Sequence, residues 1–166
     1  MPDSPLQLVG GRVTQVPAVD TGGTAAAAGK VIAADSTGRL DPSLLPTGVG
    51  ADTFSGTAAE ALAAGDMVAI TSGGIRKASA GTTGSDVDGF VLSAVTNGGT
   101  ALVYLEGRNT ALTGLTVGAR YYLSETAGQV TATPVSGAGK KHQYLGRAIT
   151  TSSLAFEPDD SIVLAA

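Results

Sequence analysis

Phe90-Val91-Leu92-Ser93-Ala94-Val95-Thr96, then Asn97-Gly98-Gly99, then Thr100-Ala101-Leu102-Val103-Tyr104-Leu105-Glu106 is the stretch that decides the fold class. Two runs rich in apolar and β-branched residues flank an Asn-Gly turn, the strongest short-range signal for a hairpin. The same pattern recurs on both sides. Residues 66–71 read as a strand, Ser72-Gly73-Gly74 turns the chain, and residues 75–79 read as the returning strand. Residues 121–124, 129–133, 143–150 and 161–165 continue the series. Residues 57–64 carry several alanines and Glu60, and predict a short helical turn.

Composition agrees with a chain of short strands. The sequence has 166 residues with 24 glycines and only 4% aromatic residues, enough for one domain with a sizeable core and an appendage. It lacks cysteine, so disulfides and thiolate zinc sites are excluded. Stability must come from packing and from oligomerisation. The net charge of −4 and the pI of about 4.7 argue against a nucleic-acid partner. No apolar run approaches the roughly 20 residues of a membrane helix. Met1-Pro2-Asp3-Ser4-Pro5 has neither a basic nor a long apolar region, so the reading is cytoplasmic synthesis without a secretory signal.

Three regions follow: an extended N-terminal arm over residues 1–20, a hinge and connector over 21–50, and a β-barrel body over 51–166. In the arm, Leu6, Leu8, Val9, Val13 and Val16 are apolar, while Gly10-Gly11 and Pro17 interrupt any long regular element. Such a segment reads either as a frayed terminus or as an extended tail that orders by adding a strand to a partner's sheet edge. Thr21-Gly22-Gly23-Thr24 reads as a hinge. The connector Gly29-Lys30-Val31-Ile32-Ala33-Ala34-Asp35 is a short strand, Asp35-Ser36-Thr37-Gly38 a turn, and Asp41-Pro42 the capped start of a helical turn closed by Pro46.

The body reads as two similar halves. Gly65-Asp66-Met67-Val68-Ala69-Ile70 matches Gly118-Ala119-Arg120-Tyr121-Tyr122-Leu123 in glycine placement and apolar phase. Gly74-Ile75-Arg76-Lys77-Ala78 then matches Gly128-Gln129-Val130-Thr131-Ala132, and Gly89-Phe90-Val91-Leu92 matches Gly146-Arg147-Ala148-Ile149. Leu102-Val103-Tyr104 and Ile162-Val163-Leu164 close the halves, with Leu112-Thr113-Gly114-Leu115 as the bridge between them. A lone hairpin is marginal in water, so the halves should bury their apolar faces together in a small β-barrel or β-sandwich.

Residues with catalytic chemistry do not assemble into a known constellation. Gly29-Lys30 lacks the upstream glycine and the following hydroxyl of a phosphate-binding loop, since Thr24 and Val31 stand in those places. His142 is the single histidine and sits beside Lys140 and Lys141, which suits a solvated loop better than a general base. Asp86-Val87-Asp88 lacks the further ligands of a calcium loop and reads as a turn into the Phe90 strand. Glu157, Asp159 and Asp160 around Pro158 read as a solvated turn. The expectation is a protein without enzyme activity, metal or cofactor. Tyr104, Tyr121 and Tyr122 are the candidate oligomer-interface residues. Tyr121 and Tyr122, being adjacent in a strand, must point to opposite faces.

The connector, from Gly29-Lys30-Val31 through Gly38-Arg39-Leu40-Asp41 to Leu44-Leu45-Pro46, resembles a linker of tailed-bacteriophage virion proteins. In the body, Gly65-Asp66-Met67-Val68, Gly89-Phe90-Val91, Gly107, Gly118, Tyr121-Tyr122-Leu123-Ser124, Gly128 and Gly146-Arg147-Ala148 resemble the small β-domain of phage capsid decoration (cement) and head-fibre proteins. The resemblance implies a virion structural protein on the outside of the capsid, bound to the major capsid protein and stabilising the shell. It implies a homotrimer, or alternatively a dimer. The arm residues Leu6, Leu8, Val9, Val13 and Val16 would then serve as capsid anchors. Related modules occur in tail fibres and baseplates, which makes a host-surface-binding tail component the alternative.

Overall fold

The computed structural model describes residues 51–165 continuously and, before them, residues 6–9, 11–15, 18–19, 31–32, 34, 38 and 40. The chain divides into two units, Met1–Gly50 and Ala51–Ala166. The described residues are mainly β, carry no helix, and are built almost wholly from antiparallel pairs.

In the first unit, β1 (Leu6–Val9) and β2 (Arg12–Gln15) form an antiparallel hairpin. Val9 lies opposite Arg12, and Gly11, expected only to interrupt the arm, takes φ +79° where the chain turns between them. β3 (Ala18–Val19) pairs in parallel with β4 (Val31–Ile32). The strand expected in the connector is therefore present at Val31–Ile32, whereas the hinge and the helical turn at 41–46 lie outside the described residues.

The second unit holds two five-stranded sheets. The first comprises β5 (Thr53–Thr57), β6 (Met67–Thr71), β7 (Gly74–Lys77), β8 (Gly89–Val91) and β9 (Thr100–Tyr104), in the order β5-β9-β8-β6-β7. The second comprises β10 (Gly107–Asn109), β11 (Arg120–Leu123), β12 (Val130–Thr131), β14 (Tyr144–Thr150) and β15 (Ser153–Phe156), in the order β10-β15-β14-β11-β12. β13 (Lys141–His142), which lies between β12 and β14 in sequence, pairs with β16 (Ile162–Val163), which follows β15. Neither sheet is closed. In the first, the two edge strands meet only past the end of β5, where Ala58 bridges Ile75 and the Ala59 N–H donates to the Ile75 carbonyl at 2.8 Å.

The sheets share local bonding as well as strand order. Gly65 N–H donates to Val91 O at 2.8 Å and Val91 N–H donates to Asp66 O at 3.1 Å. In the second sheet Gly118 N–H donates to Ala148 O at 2.8 Å and Ala148 N–H to Ala119 O at 3.0 Å. Gly89 and Gly146 each lie where an added Cβ would collide with a carbonyl of the neighbouring strand, Tyr104 O and Ala155 O respectively. Only glycine lets those backbones approach so closely.

Two cores result. One joins the sheets: Met67, Ala69, Val87 and Phe90 of the first pack against Tyr121, Leu123, Leu145, Leu154 and Phe156 of the second. Phe90 meets Phe156 edge-on with centroids 5.3 Å apart, a favoured aromatic geometry. The other core lies on the opposite face of the first sheet, where Val68, Ile75, Val91, Ala101 and Val103 pack with Ala58 and Leu62.

Several sequence expectations need correction. Residues 57–64 do not turn helically, because Ala58 and Leu62 are taken up by bridges to Ile75 and Val95. The closing strand of the second sheet is Ser153–Phe156, while Ile162 and Val163 pair with β13 and are 63% and 62% exposed. Leu112 to Leu115 lies inside the second sheet, in the β10–β11 connection, and Leu115 is buried in the shared core. The pairing of Ile70 with Ile75 and of Leu123 with Val130 makes Val130 the counterpart of Ile75, so the match of the second strands is one residue out of step.

Candidate functional site

Of the arm residues, Leu6, Leu8 and Val9 lie on β1 and Val13 on β2, with Leu8 directly opposite Val13. Val16 lies outside the described residues. The three tyrosines are not brought together. Tyr104 ends β9 half-buried, stacked on Phe90 with centroids 5.5 Å apart. Tyr121 is 6% exposed, and its hydroxyl accepts from the Thr116 N–H at 2.9 Å. That ring is committed to the core, which removes Tyr121 from the surface set. Tyr122 points the other way, as strand alternation requires, and is half-buried on the outward face of the second sheet.

Tyr122 is the centre of a cluster that the sequence did not reveal. Its ring lies 5.8 Å from Tyr144, edge-on, and 5.1 Å from His142. The Arg120 guanidinium carbon sits 6.0 Å from the centre of the Tyr144 ring, at the outer limit of a cation–π contact. Arg120, Tyr122, His142, Tyr144 and Asp159 line a shallow depression of about 300 Å³. His142 is therefore a strand residue packed on an aromatic ring. The bulge in the β11–β14 register between Tyr121 and Tyr122 sets Tyr144 opposite Tyr122, an irregularity that periodicity cannot forecast.

The acidic residues considered for chemistry have structural duties. Asp66, 2% exposed, accepts from the Ala63 N–H at 2.8 Å and pairs with Lys77 at 3.4 Å. Gly128, at φ +79°, makes room for it, since a Cβ there would come within 2.7 Å of Asp66 Oδ1. Asp88 accepts from the Ile70 N–H at 2.7 Å and Glu60 from the Lys77 N–H at 2.9 Å. Asp86 lies 2.8 Å from the Lys141 ammonium. Partial burial pushes the Asp86 carboxyl up, but hydrogen bonds from Lys141 and Ser161 and the Lys141 charge outweigh it and leave it below the ordinary aspartate value. Among the described residues, no three His, Asp or Glu side chains converge as a metal site would require.

Two buried amides tie the sheets together. Asn109 Nδ2 donates to Gly65 O at 2.9 Å while its Oδ1 accepts from the Ala111 N–H at 3.1 Å. Gln143, 4% exposed, accepts from the Val87 N–H at 2.8 Å and donates to Val87 O and Asp159 O, each at 3.2 Å. No family model matches this chain, and no curated protein matches it.

Proposed function

We infer that the chain is a tailed-bacteriophage virion structural protein, a capsid decoration protein that binds the outside of the major capsid protein shell and stabilises it. The body is a sandwich of two similar halves, each a five-stranded sheet of one topology, and the N-terminal region supplies a second contact with the shell. The observation that carries this reading is the placement of the residues on which the family resemblance rests. Gly89 and Gly146 stand where the backbone of the next strand comes too close for any side chain. Two of the glycines that carry the resemblance are thus required by close backbone approach, which supports the reading.

A structural rather than enzymatic role is supported by the carboxylates of Asp66, Asp88 and Glu60, each of which accepts a hydrogen bond from a backbone N–H. Several weak contacts per particle site, held together by oligomerisation, raise apparent affinity by on the order of 100-fold or more. The test is the stoichiometry and place of the protein on purified virions. Hundreds of copies distributed over the capsid by immunogold labelling are expected. A handful of copies on the tail would overturn the decoration reading in favour of a fibre or baseplate component that binds the host surface. Deleting residues 1–20 is expected to leave the body folded and to release it from the capsid.

A further inference from the structure

We propose that the outward face of the second sheet is a docking surface for a carboxylate-bearing protein surface, read by a row of three arginines. The register places Arg108 opposite Ala155, Ala155 opposite Arg147, and Arg147 opposite Arg120, so the four positions form one line across β10, β15, β14 and β11. Their neighbours Asn109, Leu154, Ala148 and Tyr121 are buried, and strand alternation turns the whole row outward. The row crosses three strand spacings, about 14 Å.

Charge pairing sets these arginines apart from the lysines. Lys77, Lys140 and Lys141 are each in an ion pair, with Asp66, Glu125 and Asp86. Among the described residues, no carboxylate pairs with Arg108, Arg120 or Arg147, although the chain carries a net charge of −4. Arg147 Nε donates to Gly118 O at 2.7 Å, which holds its guanidinium in place. Arg120 and Arg147 stand directly opposite each other, a like-charge arrangement that destabilises a sheet. Asp159 lines the same depression as Arg120, but among the described residues no carboxylate comes within ion-pair distance of either arginine.

The corresponding row of the first sheet identifies the face. There the line runs Thr53, Tyr104, Phe90, Met67 across β5, β9, β8 and β6. Met67 and Phe90 are fully buried because the second sheet covers them. Arg120 and Arg147 therefore occupy, in the second sheet, the positions by which the first sheet docks. The first sheet offers this face to the opposite face of the second, a head-to-tail contact in which neither sheet covers the outward face of the second. On the uncovered face the apolar residues are replaced by arginines beside Tyr122 and Tyr144. Arginine and tyrosine are the side chains enriched at protein–protein contacts, and the guanidinium fork matches a carboxylate in two-point geometry. The net charge of −4 and the absence of a wider basic stripe among the described residues disfavour nucleic acid, whose binding calls for an extended basic track.

The experiment uses the full chain and a fluorescein-labelled deca-glutamate peptide, with binding read by anisotropy at low salt. The triple variant Arg108→Gln, Arg120→Gln, Arg147→Gln is expected to bind about ten-fold more weakly or worse. The control triple Arg76→Gln, Lys140→Gln, Lys141→Gln makes the same change in net charge and is expected to stay within about two-fold of the parent. Equal losses in both variants, or no binding by the parent, would overturn the proposal. Tighter, arginine-dependent binding of a labelled oligothymidine would also overturn it, assigning the face to nucleic acid. Thermal melts provide the second readout. Arg120→Gln alone should raise the melting temperature by about 1–3 °C at low salt, with the gain shrinking at high salt, because a repulsion is removed. A fall in melting temperature would show that the arginine is there for stability and not for a partner.

Discussion

Replacing Gln143 by leucine is the sharpest probe of how the two sheets are joined. The side chain is buried and makes three hydrogen bonds, two of them to the backbone of Val87, itself 4% exposed. Leucine fills much of the volume but leaves the Val87 N–H and carbonyl without partners. Each orphaned buried group costs about 1–3 kcal/mol, and part of that is offset by the added apolar contact, so Gln143→Leu should cost about 3 kcal/mol. For a body of this size that lowers the melting temperature by about 10–15 °C. Gln143→Glu makes a complementary prediction. Its carboxylate can accept from Val87 N–H but faces two carbonyl oxygens, whereas its protonated form can donate to one of them. The introduced carboxyl therefore has a folded-state pKa raised above the unfolded value of about 4.3. Its stabilising contribution is fully present below that pH and is lost as pH rises through the folded value. Thermal melts from pH 3 to 8, by circular dichroism, would test both variants. A Gln143→Leu protein melting within about 3 °C of the parent would refute the reasoning, as would a Gln143→Glu protein whose deficit does not grow with pH.

Further outcomes are specific. Gly128→Ala places a Cβ against Asp66 Oδ1 at a positive φ, and should destabilise by about 2 kcal/mol or more in urea unfolding. Tyr121→Phe orphans the Thr116 N–H and should cost about 1 kcal/mol, while Tyr122→Phe at the surface should change stability by less than about 0.5 kcal/mol. Asp86→Asn should remove stability at neutral pH. Because the native carboxyl is held below its ordinary value, the parent loses this contribution as pH falls through the folded pKa, and the variant should show a flatter acid limb.

The sequence carried the strands wherever a turn residue was forced by backbone geometry. Asn97-Gly98-Gly99 marked the turn that precedes β9, where Gly98 takes φ +81°, but the expected strand over residues 90–96 stops at Val91, and Val95 bridges Leu62 instead of continuing a tight hairpin. Opposite faces for Tyr121 and Tyr122 followed from alternation alone. Which face was buried did not, since that depends on which side of the second sheet packs against the first. Alanine-rich residues 57–64 have local helix propensity, but long-range bridges from Ala58 and Leu62 override it. The short Ser153–Phe156 strand was hidden by its length, and the arginine row by the fact that its members are distant in sequence and meet only through register.

The strand order has a consequence for how the chain is made. In both sheets the first strand pairs only with the last, β5 with β9 and β10 with β15. Neither sheet can be completed until its final segment has been synthesised, and such distant pairings form slowly. Once Tyr104 has emerged the first sheet can close, yet Met67 and Phe90 then face water until Ser153–Phe156 is added and the second sheet folds over them. Translation thus leaves a nascent chain with a finished but uncovered apolar face. That interval is the period of greatest risk of sticking to other nascent chains, and its length is set by the speed of the ribosome over residues 105–156.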